Sequence, residues 1–178
     1  MAFGALMKRK LGEDPVAYLE RRVLRPIGFR TSWWTIDPAG NSMLPYGAWT
    51  TALEWAKYGV LVRDGGVWRG TRVLPADGVS ACLHGSRVMP AYGLTFWLNA
   101  PVGPQVNAHA IPALRGGGPR GFLYQDGPPD LFAAAGARDN RMYVVPSRGL
   151  VIVRLGTGNR QWRDAEFLSR ALDGKAGG

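Results

Sequence analysis

Few residues in this chain are placed for covalent chemistry. The two histidines, His84 and His109, stand far apart. A Ser-His-Asp triad would need one of them beside a nucleophile. Instead, His84 ends a short helix, where an imidazole suits the C-terminal dipole, and His109 falls in a Pro/Gly-rich segment. Both read as structural or solvated. With one cysteine, Cys82, and no close carboxylate set, the sequence offers no metal site, and no cofactor is expected. Cys82 lies in an apolar, helix-like stretch and reads as buried. Charged side chains gather instead at Arg138, Asp139 and Arg141, in a turn between two strand-like runs. A guanidinium can bind a carboxylate bidentately. The other reading of this turn is a solvated corner with a local ion pair, where Asn140 permits positive φ.

These residues need elements to position them. Phe3 to Leu11 and Pro15 to Leu24 read as helices, the second capped by Asp14 with Pro15 at its first position. Pro26 stops it, and residues 29 to 49 look loop-like. Thr50 or Thr51 then caps a helix to about Arg63, apolar enough to be buried on more than one side, and Asp64-Gly65-Gly66 ends it. Val67 to Leu74 turns at Gly70. Pro75 opens a short helix to about Leu83, and Tyr92 to Leu98 has strand composition. Residues 99 to 130 show no periodicity, and a segment of that kind is usually functional or mobile. Its centre, Arg115 to Arg120 (RGGGPR), reads as a flexible lid or loop insertion; one such copy without interleaved aromatics is a poor RNA-binding tract. Three strands follow: Leu131 to Ala135, Met142 to Val145 and Leu150 to Leu155. The β-branched run of the third suits a central strand covered on both faces. Arg160 to Asp173 is an amphipathic helix closed by Gly174, with a fraying Gly-rich tail beyond it.

The 178 residues, 46% of them apolar, suffice for one domain with a single core. No apolar run approaches the length of a membrane span, and the N-terminus lacks the pattern of a signal peptide. The net charge of +9 is carried mostly by arginine. These arginines are scattered, with Lys8-Arg9-Lys10 the only dense cluster, as a GC-rich genome would produce without a nucleic-acid partner.

The order of segments resembles the serine β-lactamase, penicillin-binding protein and esterase superfamily, in its class C branch. Tyr18 to Gly28 (YLERRVLRPIG) is similar to that family's helix followed by a PLG-like turn. Tyr46 to Gly59 (YGAWTTALEWAKYG) resembles its YG-loop and helix, and Gly65 to Pro75 (GGVWRGTRVLP) the turn that follows. Tyr92 to Trp97 (YGLTFW) resembles a strand, and residues 131 to 156 complete the series. The resemblance implies an α+β fold: an antiparallel β-sheet flanked by helices, here incomplete. It also implies acyl-enzyme hydrolysis of an amide or ester, a serine of an S-x-x-K motif attacking while the lysine and a Y-x-N tyrosine handle protons. The first strand of the three would form one wall of the site. By that correspondence Ala134, Ala135, Gly136 and Ala137 occupy the place of the K-T-G motif. They let a substrate lie along the strand edge but bring no charge, and Arg138 would take over as carboxylate anchor. Tyr46 falls where the family places a pocket-lining aromatic; its other reading is a loop tyrosine packed on Trp49. Trp33 and Trp34 flank a pocket or bury loop surface.

The reacting groups themselves are missing. No serine has a lysine three residues later, no tyrosine has an asparagine two residues later, and neither K-T-G nor H-x-G occurs. No catalytic residue is therefore assigned, and the chain alone is expected to be inactive. Two accounts stand: residues 1–178 are the C-terminal part of one β-lactamase-like domain, or they form a short homologue with another task. In the first, the Leu150 to Leu155 strand lacks a partner and its apolar edge favours self-association. A small amide or ester would be the ligand only when the domain is complete. Alternatives of other classes are a non-catalytic envelope or partner-binding module and a basic nucleic-acid-binding domain. Localisation is not readable from the chain; full-length relatives are commonly exported to the periplasm or cell envelope.

Overall fold

The computed structural model describes residues 2–44, 46–158 and 161–174. The chain divides into two compact units, Met1–Leu74 and Pro75–Gly178.

In the first unit, α1 (Ala2–Leu11) is followed by α2 (Pro15–Leu19), where the Asp14 carboxylate accepts from the amides of Val16 and Ala17 at 2.9 and 3.1 Å. The expected helix to Leu24 continues differently. Residues Glu20–Leu24 form a π-helical turn, with Arg25 N–H donating to Glu20 O. The wider turn lets the adjacent Val23 and Leu24 both bury, beside Ile27 and Leu61. The segment expected to be pure loop contains a small hairpin, β1 (Trp33–Trp34) with β2 (Ala48–Trp49), whose Trp33 and Trp49 rings stack at 4.8 Å. Thr51, rather than Thr50, caps α3 (Ala52–Arg63) by accepting from Glu54 N. Only Gly59, Leu61 and Val62 of α3 are fully buried and Leu53 is 80% exposed, so its burial is narrower than its composition suggests. The β3–β4 hairpin (Val67–Trp68, Thr71–Arg72) turns at Arg69 and Gly70, both at positive φ.

The second unit begins with α4 (Ala76–Cys82); Cys82 is half-buried rather than buried. Its sheet is antiparallel and four-stranded, in the order β5 (Trp97–Leu98), β6 (Phe132–Ala135), β7 (Arg141–Val145), β8 (Leu150–Arg154). The expected three-strand block is present. The Tyr92 to Leu98 strand is shortened to β5, with Tyr92 bridging back to Trp97. Cross-strand register puts Ala133, Tyr143 and Ile152 on one face and Phe132, Val144 and Val151 on the other. The first face packs against α5 (Asp164–Asp173) through Ala165 and Leu168. The positions of β7 and β8 differ from expectation. All five residues of β7 are buried, whereas those of β8 are half-buried, because β8, like β5 at the other side, is an outer strand among the described residues.

Residues 99–130, which show no periodicity, are anchored on both sides of residues 115–120, the stretch read as a lid or loop insertion. Ala113, Leu114, Leu123 and Tyr124 enter the core beneath α5. Asn99 fastens both ends of the segment: its side-chain oxygen accepts from Tyr124 N at 3.0 Å and its amide donates to Pro128 O at 3.1 Å. Four apolar anchors, irregularly spaced, hold what periodicity could not reveal. The α+β class is as expected. The residues beyond Gly174, read as a fraying tail, lie outside the described residues, as does Arg160 of the expected last helix.

Candidate functional site

The end of β6 opens into a cleft of about 340 Å³. Ala135, Gly136, Ala137, Arg138, Asp139 and Arg141 form one side of it; Trp97 and the Ile111-Pro112-Ala113 turn form the other. The wall is low because the last residue of β6, Ala135, and the Gly136 and Ala137 that follow it carry only methyl groups or none, so the backbone is approachable. Ala134 does not line the cleft; strand alternation turns it to the other face, opposite Met142. Tyr46 belongs to the first unit, where it is 64% exposed. Trp49 takes Trp33, not Tyr46, as its stacking partner, and its indole N–H donates to Thr35 Oγ1 at 3.1 Å.

The turn from Gly136 to Asn140 is the most heavily built part of the cleft. Arg138 and Asp139 both sit at φ 58°, a region costly for residues with a Cβ. Asn140, expected to be the residue at positive φ, instead has φ −67°; it serves the turn through its side chain, whose oxygen accepts from Gly156 N at 2.8 Å. Arg138 O accepts from Gly158 N at 3.0 Å, and Asp139 O accepts from Arg154 Nη1 at 2.6 Å. The Arg154 guanidinium also lies 3.9 Å over the Trp162 ring. The exposed Arg138 guanidinium makes no hydrogen bond or ion pair among the described residues, so the local ion pair does not involve it. Asp139 faces Arg141 instead, at 3.6 Å.

Beneath the turn lies a group that sequence reasoning missed. Arg141, 2% exposed, donates from Nε to Asp164 Oδ1 at 2.6 Å and from Nη2 to Asp164 Oδ2 at 3.3 Å. Its Nη1 donates to the carbonyls of Gly136 and Asn140 at 3.1 and 3.0 Å. Every guanidinium nitrogen thus has an acceptor, which is what makes a buried arginine tolerable. Tyr143 Oη donates to Asp164 Oδ1 at 2.6 Å. Burial, and then the Asp164 charge, push the phenol well above the usual tyrosine range. Alternation along β7 places Arg141 on the same inward face as Tyr143, but only because the strand starts at Arg141 rather than at the expected Met142. Asp164, one carboxylate among the charges of the last helix, carried no signal of burial.

His84 Nδ1 lies 2.6 Å from Ser80 O, in the backbone contact expected at a helix end. Among the described residues no group of three His, Cys, Asp or Glu side chains could hold a metal ion, and no helix is long and apolar enough to cross a membrane.

No family model and no curated protein matches the chain. Among solved structures, it is similar to a protein of Bacteroides dorei DSM 17855 described as a putative beta-lactamase, with a TM-score of 0.60 and 13% identity. The match covers 96% of this chain and 54% of the other, so the chain spans about half that protein's length. At this identity the likeness is one of fold: an α+β, β-lactamase-like arrangement.

Proposed function

We propose that this chain is the C-terminal portion of a β-lactamase-related serine hydrolase domain and supplies the substrate side of its acyl-transfer site. In the complete domain a serine hydroxyl attacks an amide or ester carbonyl, the C–N or C–O bond breaks as the amine or alcohol leaves with the serine's proton, and water then hydrolyses the acyl-serine ester to the free acid and the restored hydroxyl. The observation that carries this reading is the cleft at the end of β6. Its wall is a strand of small residues against which an extended substrate can lie, and an unengaged guanidinium stands at its rim. Arg138 then anchors a substrate carboxylate, while Ala135, Gly136 and Ala137 give backbone access. The likeness of fold supports the assignment, and the absent S-x-x-K and Y-x-N motifs give the expectation that this chain alone turns nothing over.

The experiment has two arms. Nitrocefin and p-nitrophenyl acetate are incubated with the purified chain, and no turnover above buffer is expected. Binding of benzylpenicillin, which carries a carboxylate, is followed by isothermal titration, with weakening of about tenfold expected in Arg138→Ala, the loss of one charge-assisted pair. Serine-dependent turnover by the chain, or penicillin binding indifferent to Arg138, refutes the proposal.

The outer position of β8 favours a second, compatible property. Its edge opposite β7, unpaired among the described residues and flanked by the half-exposed Leu155, suits strand addition by another copy of the chain.

A further inference from the structure

We propose that Asp164, acting through Arg141, is a positioning residue that locks the Gly136–Asn140 turn open at the rim of the cleft. The turn adopts an intrinsically costly shape, with Arg138 and Asp139 in succession at positive φ. Such a shape persists only where its surroundings over-determine it. Here the surroundings converge on its carbonyl oxygens: Arg141 holds Gly136 O and Asn140 O, Arg154 holds Asp139 O, and Gly158 N–H holds Arg138 O. Arg141 joins the two ends of the turn with one side chain. A guanidinium can span them only if its plane is fixed, and Asp164 fixes it from the opposite side through Nε and Nη2.

Asp164 itself is held by the first turn of α5 and by Tyr143 Oη. The path from α5 to the rim is therefore short and fully hydrogen-bonded. With Asp164 neutralised, Arg141 would lose its two-point carboxylate partner and keep only the longer pair with Asp139, at 3.6 Å on the turn side, and it would turn toward the cleft or toward water. The two carbonyls would then lose their shared donor, and the turn would relax from positive φ. This inference concerns the shape of the rim and does not depend on the hydrolase assignment; its test reads no activity.

Trypsin provides the readout, because Arg138 is an exposed tryptic site within the turn. Cleavage after a given residue reports local opening when reclosing is fast. Limited digestion of the full chain is followed by mass spectrometry, comparing cleavage after Arg138 with cleavage after Arg148, which lies in the β7–β8 turn. In Asp164→Asn, cleavage after Arg138 should rise by about tenfold relative to that after Arg148, as loss of one charge-assisted clamp implies. Tyr143→Phe removes a hydrogen bond from the same carboxylate but leaves the Arg141 pair, and should raise both cleavages in parallel. Equal acceleration at the two sites in Asp164→Asn, or the same Arg138 selectivity in Tyr143→Phe, means that Asp164 is only a stabilising residue and overturns the proposal. If Asp164→Asn does not fold, amide exchange in the wild-type chain decides. The Gly136 amide, bonded to Asn140 O, should be as protected as those of β7, and fast exchange there overturns the proposal.

Discussion

Gly156 tests the geometry of the cleft rim by crowding alone. A Cβ added there would collide with Arg154 Nη1 and with the backbone oxygen of Arg138, and would come within 3.0 Å of Asp139 O. The arginine tip can swing away, but the two carbonyls belong to the turn and cannot move without dragging it. Overpacking of this kind costs about 1–3 kcal/mol. The displaced backbone also strains two hydrogen bonds, Gly156 N to Asn140 Oδ1 and Gly158 N to Arg138 O, each contributing about 1 kcal/mol. Gly156→Ala should therefore lose about 3 kcal/mol. Gly149→Ala is the matched control: its φ is 60° but nothing lies within 4 Å of the added Cβ, so its cost is conformational only, about 1 kcal/mol. Urea unfolding followed by tryptophan fluorescence gives both values. If Gly156→Ala is no more destabilising than Gly149→Ala, the turn does not sit against β8's end as described, and the account of a built rim fails with it.

Two further outcomes are expected. Because burial raises the Tyr143 phenol, the folded chain keeps that proton above the ordinary value of 10.0 while the unfolded chain releases it. The resulting stabilisation is full below pH 10 and is lost as pH rises beyond it, by up to about 1.4 kcal/mol per pH unit. Urea midpoints measured from pH 8 to 11 should thus fall more steeply in wild type than in Tyr143→Phe, and parallel curves would contradict the buried phenol. The outer edge of β8 should also produce concentration-dependent association in sedimentation velocity; a single monomeric species at every concentration would count against strand addition.

The sheet was legible because its strands are bounded by residues with one clear preference each. Gly149, left-handed at φ 60°, closes the β7–β8 connection, and the β-branched run of β8 suits little but a strand. Composition could not, however, assign β8 its neighbours. Val151, Ile152 and Val153 would read alike at the centre or the edge, since burial on both faces leaves open how many strands lie alongside. Ala135 to Arg138, put forward by the correspondence with the K-T-G position, border the cleft, so its outline was legible, while their part in binding a substrate is a proposal. The supports of the cleft were not legible. Arg141 and Asp164 are separated by 23 positions, and neither sequence context distinguishes a buried ion pair from two solvated charges. Residues 99–130 escaped for a different reason. Leu114, Leu123 and Tyr124 are core residues at spacings that fit neither a helix nor a strand, and so resemble loop composition.

The sheet edge and the cleft are linked through β8. The strand delivers Arg154, and the chain leaving it delivers Gly156 and Gly158, each to a different atom of the Gly136–Asn140 turn. Yet β8 pairs with β7 alone among the described residues, so these contacts are carried by an edge strand of the sheet. Opening free energy is lowest where a strand has one neighbour and half-buried side chains. The turn therefore has two anchors of unequal firmness: Arg141 and Asp164, buried within the sheet and α5, and the end of β8 at its margin. A second strand laid on the outer edge of β8 would remove that inequality. It would stiffen the rim from the outside as the buried ion pair does from beneath, and any partner of β8 would act on the cleft without touching it.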